Sequence, residues 1–127
     1  MYGICINCKK EPFVSLILQH LKTVETRLPN KRTGKGSLDR FIGQRVGLLE
    51  TGTHKRAVLR GYATISERIT YDCISFRNDT RHCISIGSEY DIPEGGIKYG
   101  YVLTDIEECD SVEINAPGRA YKCISIN

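Results

Sequence analysis

The sequence predicts an α+β, mainly β domain: a set of short strands with one or two helices. Two observations predict it. About six or seven segments alternate apolar and polar residues at period two, and one segment repeats at helical spacing. Glycine, proline and asparagine separate these segments, as turns between short strands require. A small closed or nearly closed barrel would hide the edges of so many short strands. At 127 residues, 40% hydrophobic and 26% charged, the chain reads as one domain over 1–127 with one core.

The elements follow in order. Residues 2–7 read as a first strand, with Ile4 and Ile6 on one face and Cys5 on the other. Residues 9–12 turn the chain, and Pro12 suits the first position of a helix. Phe13, Leu16, Ile17 and His20 share one helical face, so residues 12–20 read as a short amphipathic helix. Residues 23–28 are rich in β-branched side chains and form a second strand, which Pro29 and Asn30 end. Residues 45–51 and 57–65 make a hairpin around the turn at 52–55. Gly43 and Gly61 flank or interrupt strands, where a bend or bulge is expected. Between 66 and 96 short strands or turns are expected near 73–76 and 83–86, then a turn-rich loop over 90–96. Residues 99–106 form a strong strand, and 121–126 a last one.

Charge is uneven. Residues 1–60 hold 12 Lys/Arg against 4 Asp/Glu, and residues 61–127 hold 6 against 11. The basic centre runs from Lys22 to Arg45 and includes the loop residues Lys31, Arg32 and Lys35. Such a patch attracts phosphates, or it is a solvated loop balanced by the acidic half. The loop contains Gly34-Lys35 but lacks the spacing of a nucleotide P-loop. The N-terminus shows no secretory signal and no run reaches the ~18 apolar residues of a membrane span. A cytoplasmic protein is expected, with no membrane partner.

Six cysteines raise the question of metal. Cys5-x-x-Cys8 has ligand spacing, and Cys73, His82 and Cys83 are candidates to complete a set. Structural zinc sites usually show two close pairs, and here there is one. Most of these cysteines sit in apolar alternation, which reads as buried thiols. No metal and no cofactor are expected.

The densest chemistry lies in Lys22-Thr23-Val24-Glu25-Thr26-Arg27. Strand periodicity puts Thr23, Glu25 and Arg27 on one face and Thr26 on the other. Glu25 and Arg27 are then neighbours able to pair, which would hold the guanidinium still. Lys22 stands where helix meets strand. Desolvation there would lower its pKa and fit it to act as a base or to polarise a carbonyl. Tyr99 and Tyr101 share a face of the late strand, available either to stack bases or to fill the core.

The order of these elements, with Lys22-x-x-Glu25-x-Arg27 after the first helix, resembles the ASCH domain family of the PUA-like superfamily of small β-barrels. The family motif carries a glycine two residues before the lysine, and His20 stands there. Gly43-Gln44-Arg45-Val46, Arg60-Gly61-Tyr62-Ala63 and the strand from Lys98 to Leu103 are similar to further strands of that barrel. The resemblance implies a cleft beside the helix that binds RNA or a nucleotide-like ligand. Lys22, Glu25 and Arg27 would contact it, Lys31, Arg32 and Lys35 would steer a backbone, and Tyr99 and Tyr101 would line the cleft. Some small members are metal-independent amidohydrolases acting on N4-acylated cytidine. For that alternative Lys22 and Glu25 are the catalytic candidates, with Glu67 as a later carboxylate; the family's threonine position holds Glu25. A third reading is an interaction module whose acidic segment, 105–113, meets a basic partner.

Overall fold

A computed structural model describes residues 1–118 and 123–126. The chain runs β1 (Tyr2–Asn7), α1 (Phe13–Leu18), β2 (Val24–Arg27), a single 3-10 turn (Asp39–Phe41), β3 (Arg45–Thr51), β4 (Arg56–Tyr71), α2 (Cys73–Asn78), β5 (Lys98–Pro117) and β6 (Cys123–Ser125). Six strands form one sheet in the order β2-β5-β4-β3-β1-β6. β1 and β3 are parallel, and every other pair is antiparallel. No described helix is long and apolar enough to cross a membrane.

Two strands are much longer than their alternation predicts. β4 has 16 residues and β5 has 20. The pairing of β4 with β5 shifts register four times, after Arg56, Leu59, Tyr62 and Ile65. Each bulge inverts the apolar alternation and bends the strand, so the period-two signal fades while the ladder continues. Gly61 lies at one of these shifts, where a Cβ would run into the carbonyl of Glu107. Gly43 takes φ +84° and donates its N–H to the carbonyl of Ile65. Of the predicted last strand, Tyr121 and Lys122 lie outside the described residues.

The segment near 73–76 is a helix rather than a strand or turn. Asp72 caps α2: its carboxylate accepts from the Ser75 N–H, while the Ser75 hydroxyl accepts from the Asp72 N–H. That reciprocal pair satisfies two groups the first helical turn leaves open.

α1 ends in a Schellman turn. His20 N–H bonds to Ile17 O at 2.9 Å and Leu21 N–H to Leu16 O at 3.0 Å. The turn needs a left-handed residue, and His20 supplies it at φ +62° where glycine would be unstrained. The chain reverses there and delivers Lys22 to the start of β2.

Ile4, Ile6, Val14, Ile17, Leu48, Ile65, Tyr101 and Leu103 build the main core between the sheet and α1. Each such side chain contributes about 1.5–3 kcal/mol on leaving water. A smaller cluster of Val24, Tyr71, Phe76 and Ile92 lies beneath α2.

Candidate functional site

Among the described residues, the two outer strands of the sheet, β2 and β6, are not paired with each other. Among the described residues, β6 pairs with Tyr2, Gly3 and Ile4 of β1. Beyond them a side chain spans the seam: Arg27 of β2 donates from Nη2 to the Cys5 carbonyl at 2.8 Å. A cleft of about 470 Å³ opens here, bordered by Cys5, Ile6, Glu25, Arg27, Tyr90 and Lys98 among others.

Glu25 is the hinge of its charge network. Its Oε2 accepts from Arg27 Nε at 3.2 Å, and its Oε1 lies 3.6 Å from Lys22 Nζ. Lys22 is wholly buried, at 0% exposure. Its ammonium donates to the His82 carbonyl at 2.6 Å and stands 4.5 Å from the centre of the Phe13 ring. Burial pushes the Lys22 pKa down, with Glu25 acting against the shift. Desolvation is the main cause of that shift, and the Arg27 charge adds a smaller part.

A second lysine shares the cleft. Lys98 is 5% exposed, donates to the Tyr90 carbonyl at 2.5 Å and stands 5.2 Å from the centre of the Phe76 ring. Burial pushes its pKa down to about 8; Glu25 opposes the shift and Lys22 adds to it. The rim segment that carries Tyr90 is pinned by the Lys10–Glu89 ion pair and by Tyr90 packed edge-on against Phe13.

Compared by sequence, no family model matches the chain and no curated protein matches it. Compared by structure, it superposes on the ASCH protein of Zymomonas mobilis with a TM-score of 0.63, 15% identity, and coverage of 99% of this chain and 87% of that one. The fold is that of an ASCH domain. An alanine-for-serine variant of the same Zymomonas protein gives a TM-score of 0.61 at 18% identity, covering 88% of this chain and 72% of that one. A phenylalanine-for-tyrosine variant gives 0.58 at 16%, covering 90% and 76%.

The ASCH fold brings Lys22, Glu25 and Arg27 together, and Thr26 borders the same cleft because β2 is an edge strand whose backbone meets the opening. Lys31, Arg32 and Lys35 stand apart from it, exposed along a neighbouring groove of about 660 Å³. Their loop is ordered by Asn30, whose side-chain oxygen accepts from the Arg32 and Thr33 N–H groups at 2.9 and 3.0 Å. Arg27 and Leu28 line both cavities.

Three sequence candidates occupy other places. Tyr101 is wholly buried and its hydroxyl donates to Asp39 Oδ1 at 2.8 Å. Tyr99 is nearly as buried, donates to the Gly34 carbonyl at 2.5 Å and carries the Arg68 guanidinium on its ring. Both rings belong to the core and tether the basic loop, so neither offers an open face for stacking. Glu67 is exposed and pairs with Val102, one residue from the partner of Glu25, which puts it on the opposite face of the sheet. Tyr62 lines a different groove with Arg45 and Val112.

Lys98 of the cleft and His82, whose carbonyl holds Lys22, were not legible as such. Lys98 carried only the signal of a lone lysine opening an apolar strand. His82 is buried, with its ring stacked on Phe76 at 4.0 Å. Its Nδ1 accepts from Ile84 N–H at 2.9 Å, which leaves Nε2 to donate to the Phe76 carbonyl at 2.5 Å. That neutral tautomer is consistent with burial pushing its pKa down. No group of three or more His, Cys, Asp or Glu side chains is placed to hold a metal ion among the described residues.

Proposed function

We propose that the protein binds a nucleotide-like ligand, in its macromolecular form a short single-stranded RNA, at the seam between β1 and β2. One observation carries this reading. The buried Lys22–Glu25–Arg27 line is continuous, through Arg27 and Leu28, with the exposed groove of Lys31, Arg32 and Lys35. A buried polar cleft joined to an exposed cationic strip suits a ligand with one end to be recognised and a backbone to be steered. Glu25 keeps lone pairs beyond its two ion pairs, enough to accept from an exocyclic amine.

The test is equilibrium binding of short single-stranded RNA to wild type and Lys22→Ala over a range of salt. Salt-sensitive binding that the substitution weakens supports the reading. Binding that ignores both removes it. A second reading, hydrolysis of a modified nucleoside, is favoured by the desolvated Lys22 beside a carboxylate, a pairing suited to proton transfer. Turnover of N4-acetylcytidine, abolished in Lys22→Ala, would select it.

A further inference from the structure

The charges at the floor of the cleft do not balance. Lys22, Lys98 and Arg27 are cations, and Glu25 is the carboxylate paired with two of them. The other acids of the lining are committed elsewhere. Asp91 accepts from the N–H groups of Gly87 and Ile92 and from Arg77, and Glu89 pairs with Lys10. With both lysines protonated the floor carries an excess of about two positive charges in a place where water screens them poorly.

The unused donors point the same way. Lys98 has one hydrogen bond, to the Tyr90 carbonyl, and an ammonium has three donors. Arg27 uses Nε on Glu25 and one Nη2 bond on Cys5, so further N–H groups remain for a ligand. We infer that the cleft floor is a site for a terminal phosphate, held between Lys98 and Arg27, and that a nucleotide or RNA enters by its phosphorylated end. A phosphate monoester carries about −1.5 to −2 charge at neutral pH, close to the excess on the protein. A diester inside a strand carries one charge and has two chain exits. Phe13, Tyr90 and Lys22 line the same cleft, and the higher charge of a monoester matches its cationic excess better than a diester does.

This inference rests on the nucleotide-like ligand proposed above and names which end is recognised. It also predicts proton uptake. Lys98 is surrounded by the charged groups Glu25, Lys22, Asp91 and Arg27, with His82 behind the Phe76 ring. A phosphate among them favours the ammonium form, so binding weakens as pH rises above about 8, where the free site loses its proton.

The experiment compares cytidine 5′-monophosphate, cytidine and inorganic phosphate by calorimetry, and inorganic phosphate by phosphorus NMR. The monophosphate is expected to bind at least tenfold tighter than cytidine, with inorganic phosphate competing. Lys98→Gln keeps a donor for the Tyr90 carbonyl and is expected to reduce the monophosphate to the level of cytidine. Should that variant fail to fold, Arg27→Gln on the edge strand is expected to give the same loss. Equal binding of cytidine and its monophosphate overturns the phosphate site and leaves the nucleotide reading standing. Phosphate binding that depends on Lys98, with no binding of nucleotide or RNA, keeps the site and removes the nucleotide reading. No binding of phosphate in any form overturns the inference.

Discussion

Lys22 and Lys98 differ from Lys31 and Lys35 in everything but side-chain type. The first two are buried, each bonded to a backbone carbonyl and set near an aromatic ring. The second two are exposed on a loop whose own backbone and Asn30 hold it in shape. A cation in water is stable anywhere and acts at a distance, raising encounter rates in a salt-dependent way. A cation out of water is unfavourable unless other groups surround it, and it acts only on what touches it. In the function proposed above the loop attracts and the cleft discriminates, although the sequence writes both with the same letter.

The largest expected effect breaks this contrast at Glu25. Glu25→Gln leaves Lys22 and Arg27 without their counter-charge and is expected to lower stability by about 3–5 kcal/mol in urea unfolding. Replacing Lys31, Arg32 and Lys35 together by glutamine is expected to leave the unfolding midpoint unchanged. A midpoint equally sensitive to both would mean the loop charges are structural.

Next in size is a pH effect. In the fold Lys98 loses its proton at about 8, while its ordinary value is 10.5. Between these values the unfolded chain holds a proton that the folded chain has released, so stability rises with pH across that window. Wild type is expected to gain on the order of 2 kcal/mol over Lys98→Gln between pH 8 and 10.5. A flat difference between the two proteins would mean that Lys98 keeps its proton when buried.

The loop gives a smaller effect, visible only in binding. Removing its three cations is expected to make the slope of log RNA affinity against log salt shallower by roughly 2. Lys98→Gln removes at most one such contact. The smallest effect concerns the turn that delivers Lys22. His20→Gly relieves a left-handed side chain and is expected to raise stability by about 0.5–1 kcal/mol, or a few degrees in Tm.

What the sequence made legible is what lies close together in it. Lys22, Glu25 and Arg27 span six residues, so strand alternation alone predicts the Glu25–Arg27 pair. β1 and β3 match their predicted bounds because neither is interrupted by a bulge on its own face. Lys98 reaches the cleft, and the His82 carbonyl reaches Lys22, from 60 or more residues beyond Lys22, through a fold that no local pattern encodes. The ends of β4 and β5 were hidden by bulges that invert the alternation. α2 was hidden by its shortness, although Asp72 and Ser75 stand at capping-box spacing. Tyr99 and Tyr101 carried a true ambiguity: the same alternation serves a core face and a stacking face, and only burial separates them.

The bond from Arg27 to the Cys5 carbonyl joins β2 to β1, two strands that backbone pairing among the described residues leaves apart. The sheet is thus a belt, and its buckle is made of the same guanidinium that faces the cleft. A ligand gripping that guanidinium handles the fastening directly. For the proposed ligand, occupancy of the cleft and tightness of the wall become one variable, and amide exchange along β2 is expected to slow on binding even for a ligand whose chemistry is silent.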